Sequence, residues 1–171
     1  AKFDVNSSGV GDTTLSFFVR NKYKKNVKDH FGVGLSFPSG STDCRDSTPV
    51  SSNSRLGYAM QNGSGTFDVF FMYNNLNIFN RFKIGEQIYF KTPVSGRNSK
   101  SYKYGNTFNS SVWASYRWID NISTSIKMNY NYRGYMKGSD NEMDPRMSPA
   151  MDSRNSGHQK FSISFGVNFV N

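Results

Sequence analysis

The sequence has no long hydrophobic run. Its mean hydropathy is −0.64, and 36% of its 171 residues are hydrophobic. No stretch approaches the roughly 18 consecutive apolar residues that a membrane-crossing helix needs. That excludes a helical membrane protein but not a barrel, because barrel strands alternate lipid-facing and lumen-facing residues and average to neutral hydropathy. Cysteine is nearly absent, and a lone Cys44 cannot form an internal disulfide. Histidine is confined to His30 and His158. Acidic residues are also few, 12 against 21 Lys and Arg, which gives a formal charge of +9. Such basicity raises nucleic acid as a partner. The cations, however, are spread along the chain. Only Lys22, Lys24, Lys25 and Lys28 cluster, in a predicted tight turn that reads as a solvated loop, so no nucleic-acid partner is expected.

Aromatic residues are abundant, 16% of the chain with 15 Phe and 10 Tyr, a balance that favours strands over helices. Strict alternation then decides the class. From Lys160, Phe161, Ile163, Phe165, Val167 and Phe169 share one face, and Lys160, Ser162, Ser164, Gly166 and Asn168 the other. A period of two over such a length is a strand. The same pattern occupies 122–133 and 30–37. Less regular strands are predicted at 13–23, 66–74, 82–91 and 107–118, with Phe70 and Trp113 on the otherwise polar side and Glu86 on the apolar side.

The connections carry a second pattern. Links at 24–29, 75–81 and 119–121 are short, those at 38–65, 92–106 and 134–159 are long, and the two kinds alternate. Outer-membrane barrels have this asymmetry, with short periplasmic turns and longer outer loops. The polar face is mostly Gly, Ser, Asn and Gln, which suits a crowded lumen, while Phe37, Trp118, Tyr130 and Tyr132 near strand ends suit interfacial girdles. A β-sandwich also buries an apolar face, so alternation alone leaves it open. The expected architecture is a single all-β domain over 1–171, an antiparallel up-and-down transmembrane β-barrel with its long loops outside, in contact with outer-membrane lipid. About seven to eight strands are present, residues 1–6 ending the eighth. Because single-chain bacterial barrels close with even strand numbers, further strands or partner chains are expected to complete the wall.

Three stretches point to one family. They are Ser7-Ser8-Gly9-Val10-Gly11-Asp12, Gly34-Leu35-Ser36-Phe37-Pro38-Ser39-Gly40-Ser41, and the run from Leu56 to Asp68, LGYAMQNGSGTFD. With Met143-Asp144-Pro145-Arg146-Met147-Ser148-Pro149-Ala150-Met151 and the later Gly166-Val167-Asn168, the sequence resembles the outer-membrane transporters related to the phenol meta-pathway degradation proteins. The resemblance implies an outer-membrane β-barrel, transport of small molecules with aromatic ones among the candidates, and further strands after Asn171. It implies no catalytic residue and no cofactor.

Site candidates follow from the alternation. Arg20, Lys83, Gln87, Lys91, Arg117, Lys127 and Arg133 fall on the predicted lumen side, where cations would favour anionic cargo. A filled, non-conducting interior reads the same residues as paired or packed. Gly32, Gly34, Gly85 and Gly166 either leave space or admit bulky neighbours such as Trp113. In the loops, Asp43, Arg45, Asp46 and Arg55 could pair to fold one loop over the pore, or stay solvated. Asp140, Asn141, Glu142, Asp144 and Asp152 offer oxygen ligands for a hard cation such as calcium, without the regular spacing of a calcium loop. His158, near Asp152 and Asp144, reads as a solvated loop residue, since no spacing fixes a nucleophile, base and orienter. The chain thus reads as a passive channel or transporter and not an enzyme, with a structural or adhesion barrel and a soluble β-sandwich binding protein as alternatives.

Overall fold

The computed structural model describes residues 4–20, 26–49 and 51–169. It is all-β. Seven long strands form one antiparallel sheet: β1 (Thr13–Arg20), β2 (Val27–Phe37), β5 (Asp68–Phe79), β6 (Phe82–Pro93), β8 (Thr107–Ile119), β9 (Ile122–Arg133) and β11 (His158–Phe169). Each pairs with its neighbour in chain order, so the sheet is a meander with β1 and β11 at its edges. No pairing joins β1 to β11 among the described residues.

The strands outrun their predicted bounds at several ends. The link expected at 75–81 contracts to a two-residue turn, because β5 continues through Asn74-Asn75-Leu76-Asn77 to Phe79. Asn residues disfavour strands on propensity, but β6 supplies a continuous ladder from Asp68↔Pro93 to Phe79↔Phe82. Asn80 takes a positive φ of 46°, which lets the turn close in two residues. Another two-residue turn, at 120–121, joins β8 to β9 after an irregularity in register between Arg117 and Ile119. His158 is a correction: it opens β11 opposite Arg133 instead of sitting in a loop. No eighth strand is seen in 4–12. That segment instead ties to the 38–67 connection, with Asn6 N–H donating to Asp46 Oδ2 at 2.7 Å and Ser7 Oγ–H to the Met60 carbonyl at 2.7 Å. Residues 1–3 and the predicted turn cations Lys22, Lys24 and Lys25 lie outside the described residues, and Lys28 belongs to β2.

The sheet is inverted relative to a water-soluble one. Along β2, Phe31, Val33 and Leu35 are exposed while Gly32, Gly34 and Ser36 are buried. The same apolar face continues to β11, where Phe165 is 81% exposed. The buried hydrophobic cluster lies elsewhere. Tyr58, Tyr102, Met136 and Met143 form it, packed with Tyr104 and Met151, and all of them belong to the long connections.

Those connections, 38–67, 94–106 and 134–157, all leave the same end of the sheet and fold into one cap. They contain two small ladders, β3 (Arg45–Asp46) with β4 (Ser54–Arg55), and β7 (Tyr102–Lys103) with β10 (Lys137–Gly138), plus short 3-10 turns. Asp12 holds the cap to the start of β1 by accepting from Gly40 N–H at 3.0 Å, Ser64 N–H at 2.8 Å and Ser64 Oγ–H at 2.6 Å. The cap ties back to the preceding segment elsewhere as well, where Asn62 Nδ2 donates to the Ser8 carbonyl at 2.8 Å.

Candidate functional site

Register sorts every strand residue onto one of two faces, because directly opposed residues in a ladder share a face. Arg20, His30, Asn74, Gln87, Ser111 and Asn129 form one continuous row across the sheet. Lys91 and Arg133 share a row near the cap through Thr107. Lys127 lies opposite Trp113, Lys83 opposite Ser115, and Arg117 opposite Ser123. All seven polar-face candidates therefore do lie on the face opposite the exposed apolar one, and so do Phe70 and Trp113. Glu86 lies on the apolar face, opposite Val112.

Glycines on the polar face are notches that aromatic side chains fill. A Cβ on Gly85 would lie 2.3 Å from the Trp113 indole, and one on Gly34 would lie 2.3 Å from the Phe70 ring. Phe18 covers Gly32 in the same way. Between these filled notches the polar face keeps open hollows, one lined by Arg20, His30, Asn74 and Gln87 and another by Asn109, Ser111, Asn129 and Asn131.

Beneath the cap lies a chamber of about 480 Å³. Its roof is the 58–64 stretch, and its walls are Asp68, Tyr89, Lys91, Asn109 and Arg133 on β5, β6, β8 and β9. Asp68 is buried, accepts from Thr66 Oγ1–H at 2.7 Å and meets Lys91 Nζ at 2.7 Å. Lys91 is thereby neutralised. Arg133 makes no ion pair among the described residues, so it is the chamber's uncompensated charge. Tyr104 links floor and roof: its hydroxyl donates to the Tyr58 carbonyl at 2.8 Å, and burial pushes its phenol well above the ordinary tyrosine value. It therefore acts as a neutral donor at any physiological pH.

Above the chamber, side chains from all three long connections converge in one charge network. Arg55, with only 2% of its side chain exposed, meets Asp140 at 2.7 Å and also Asp43. Arg45 meets Asp43 at 2.9 Å and also Glu142. Lys100 reaches Glu142 at 3.4 Å and Asp43 at 3.6 Å. The Arg45 hydrogen bond is the main reason that the Glu142 carboxyl is held below its usual value; Lys100 adds to it. For Asp43, burial pulls upward, but the Arg45 hydrogen bond and the charges of Arg55, Arg45 and Lys100 together bring the carboxyl down. A neutral hydrogen bond completes the joint, with Asp140 N–H donating to the Tyr58 hydroxyl at 2.9 Å.

The loop candidates therefore divide. Asp43, Arg45, Asp140 and Glu142 come together with Arg55. Asp46 does not; it accepts from Asn6 and Ser47 N–H. Asp144 chelates Arg146, and Asp152 chelates Arg154 while capping a 3-10 turn, both locally. The carboxylates suggested for calcium are thus split among separate cations, and no group of three or more metal-ligating side chains occurs among the described residues. His30 packs edge-on to Phe18 with ring centroids 5.9 Å apart, opposite Arg20 in the ladder.

Sequence reasoning missed Asp68, Tyr104 and Lys100. Asp68 had a signal, since it sits two residues before Phe70 and so on the polar face, opposite Ser36 and Pro93. Lys100 and Tyr104 had none, because their roles depend on how separate loops meet. No family model matches the chain, and no curated protein matches it in sequence.

Proposed function

We propose that this chain is the wall and outer cap of an outer-membrane β-barrel that passes small polar or anionic molecules. One observation carries the reading: a seven-stranded sheet exposes its apolar face from β1 to β11, while on the other face β2 covers Gly32, Gly34 and Ser36. In water an apolar surface of that extent is unfavourable by roughly 25 cal/mol per Å²; in lipid it is the expected outer wall. The strand lengths agree, since β5, β6, β9 and β11 each have 12 residues and a tilted strand of roughly 9 to 11 crosses the hydrocarbon layer. Aromatic pairs at both ends of the wall, Phe37 with Phe67 and Tyr116 with Trp118, fit the two interfaces. β1 and β11 would meet further strands to close the wall.

Cargo enters past the cap into the chamber, where Arg133 attracts negative charge and Tyr104, Asn109 and Gln61 supply neutral polar contacts. Reconstitution tests this. The protein should need detergent for extraction and give steps of current in planar bilayers that favour anions. Arg133→Gln should reduce that preference. Insertion without current under any condition would rule out a channel.

A second reading has its own observation. Phe18, Phe70 and Trp113 fill the glycine notches, so the barrel would serve as a plugged scaffold whose cap binds a partner. Trp113→Ala separates the two: it should raise conductance in a channel and leave a plugged scaffold silent. A soluble sandwich would require a second layer over the apolar face, and the described residues supply none.

A further inference from the structure

Two lysines in the cap face each other with no acid between them. Lys103 and Lys137 are direct partners in the β7–β10 ladder, so their side chains leave the ladder on the same side. Like charges so placed repel. Neither forms an ion pair among the described residues, although Lys91, Lys100, Arg45, Arg55, Arg146 and Arg154 all do. Lys103 Nζ donates to the Ser95 carbonyl at 3.1 Å, which fixes the ammonium without neutralising it.

The two lysines stand at the head of a groove of about 550 Å³ whose lining contains no carboxylate. Pro93, Tyr104 and Gly105 separate this groove from the chamber, lining both. Its other boundary is Thr92 and Tyr132, which belong to the exposed apolar face and come at its cap end, as the ladders Val69↔Thr92 and Phe108↔Tyr132 show. Tyr135, 67% exposed, completes the lip. Thr92 Oγ1–H donates to Asn106 Oδ1 at 2.9 Å, which leaves the Asn106 amide NH₂ as a further donor. A groove with apolar strand surface on one side and two unpaired ammonium groups on the other has the chemistry of a site for an amphiphile with an anionic head.

We propose that this groove binds the phosphate of an anionic membrane-lipid headgroup, with Lys103 and Lys137 on the phosphate and the acyl chains lying along the apolar face below Tyr132. A phosphate monoester carries the charge to neutralise both lysines and the acceptor oxygens to engage both ammonium groups and Asn106. The site rests on the membrane reading above, and it gives the cap a fixed height at the bilayer surface.

The test uses the full chain mixed with two vesicle types, pure phosphatidylcholine and phosphatidylcholine with about one phosphatidic acid in ten lipids. Flotation with the vesicles reads the membrane association. Native mass spectrometry of the released protein then reads retained phosphatidic acid. The wild type should retain it about tenfold more than Lys103→Gln/Lys137→Gln, whereas Arg146→Gln/Arg154→Gln, which removes two cations from the same cap, should match wild type. A chain that floats but retains phosphatidic acid equally in all three forms overturns the site and leaves the membrane reading intact. Complete stripping by inorganic phosphate would assign the lysines to the free anion and also overturn a lipid site. A chain that fails to float overturns the membrane reading and this site with it.

Discussion

The wall and the cap of this protein bury opposite things. In β2, Phe31, Val33 and Leu35 are exposed and Gly32, Gly34 and Ser36 are covered. In the cap, Tyr58, Tyr102, Met136 and Met143 are buried together, as in any water-soluble domain. The same chain thus shows two burial patterns, and the boundary between them falls where the long connections leave the sheet. Apolar burial stabilises the cap; ladder hydrogen bonds and the packing of aromatics into glycine notches hold the polar side of the wall. The cap also carries the charge network, so its stability is electrostatic as well as hydrophobic.

The largest expected effect breaks the cap. Arg55→Met would leave the Asp140 carboxylate, whose side chain is only 3% exposed, without its cation. Removing one partner of a buried pair costs about 3 to 5 kcal/mol. Hydrogen exchange should rise, and proteolysis appear, across 38–67 and 134–157 while the strand ladder stays protected. Arg55→Met/Asp140→Leu should restore most of the loss, since a paired apolar replacement leaves no stranded charge. If the single variant unfolds wall and cap together, the two regions are one cooperative unit and the comparison fails.

Next in size is a test of the wall's solvent. Ile163 is on the exposed face of β11 opposite Met128. Ile163→Arg should cost about 2 to 4 kcal/mol if that face meets the middle of a bilayer, and nearly nothing if it meets water. Folding equilibria in vesicles at increasing urea read the difference directly.

Much of the wall was legible because period-two alternation is a local property. Register groups Lys83, Gln87 and Lys127 on one face together with Phe70 and Trp113, and puts Glu86 on the other. Strand ends were harder. Asn75 and Asn77 read as a turn, yet pairing with β6 outweighs their poor propensity. The cap was legible only in part. Asp43 and Arg45 are two residues apart and their pairing could be anticipated, but Arg55 with Asp140 joins positions on different loops, and no periodicity reports such a meeting. The same two-residue spacing lets Arg146 take Asp144 and Arg154 take Asp152, which disperses the carboxylates considered for calcium.

A smaller effect probes the packed side of the wall. Gly85→Val would place its first carbon against the Trp113 indole, where a Cβ already comes within 2.3 Å. Overpacking of this kind costs about 1 to 3 kcal/mol. Gly85→Val/Trp113→Ala should recover stability by vacating the space. If the single variant is neutral, the indole moves freely and the notch is not a packing contact, which would favour an open lumen over a plugged one.

The smallest expected effect is a pH response confined to the cap. The carboxyls of Asp43 and Glu142 are held below their usual values in the folded protein, so folding favours their ionised forms. Groups of this sign contribute stability that is present above their unfolded pKa and is lost as pH falls through the folded one. For these two carboxyls the window lies below about pH 4. Lowering pH through that window should raise hydrogen exchange in 38–67 and 134–157 with little change in β5 and β6. High salt at neutral pH should loosen the same segments, because Arg45, Asp43 and Glu142 are partly solvent-exposed and their pairing is screened. The Arg55–Asp140 pair should resist salt, being buried. Acid sensitivity spread evenly over wall and cap would show that the two regions do not obey separate rules.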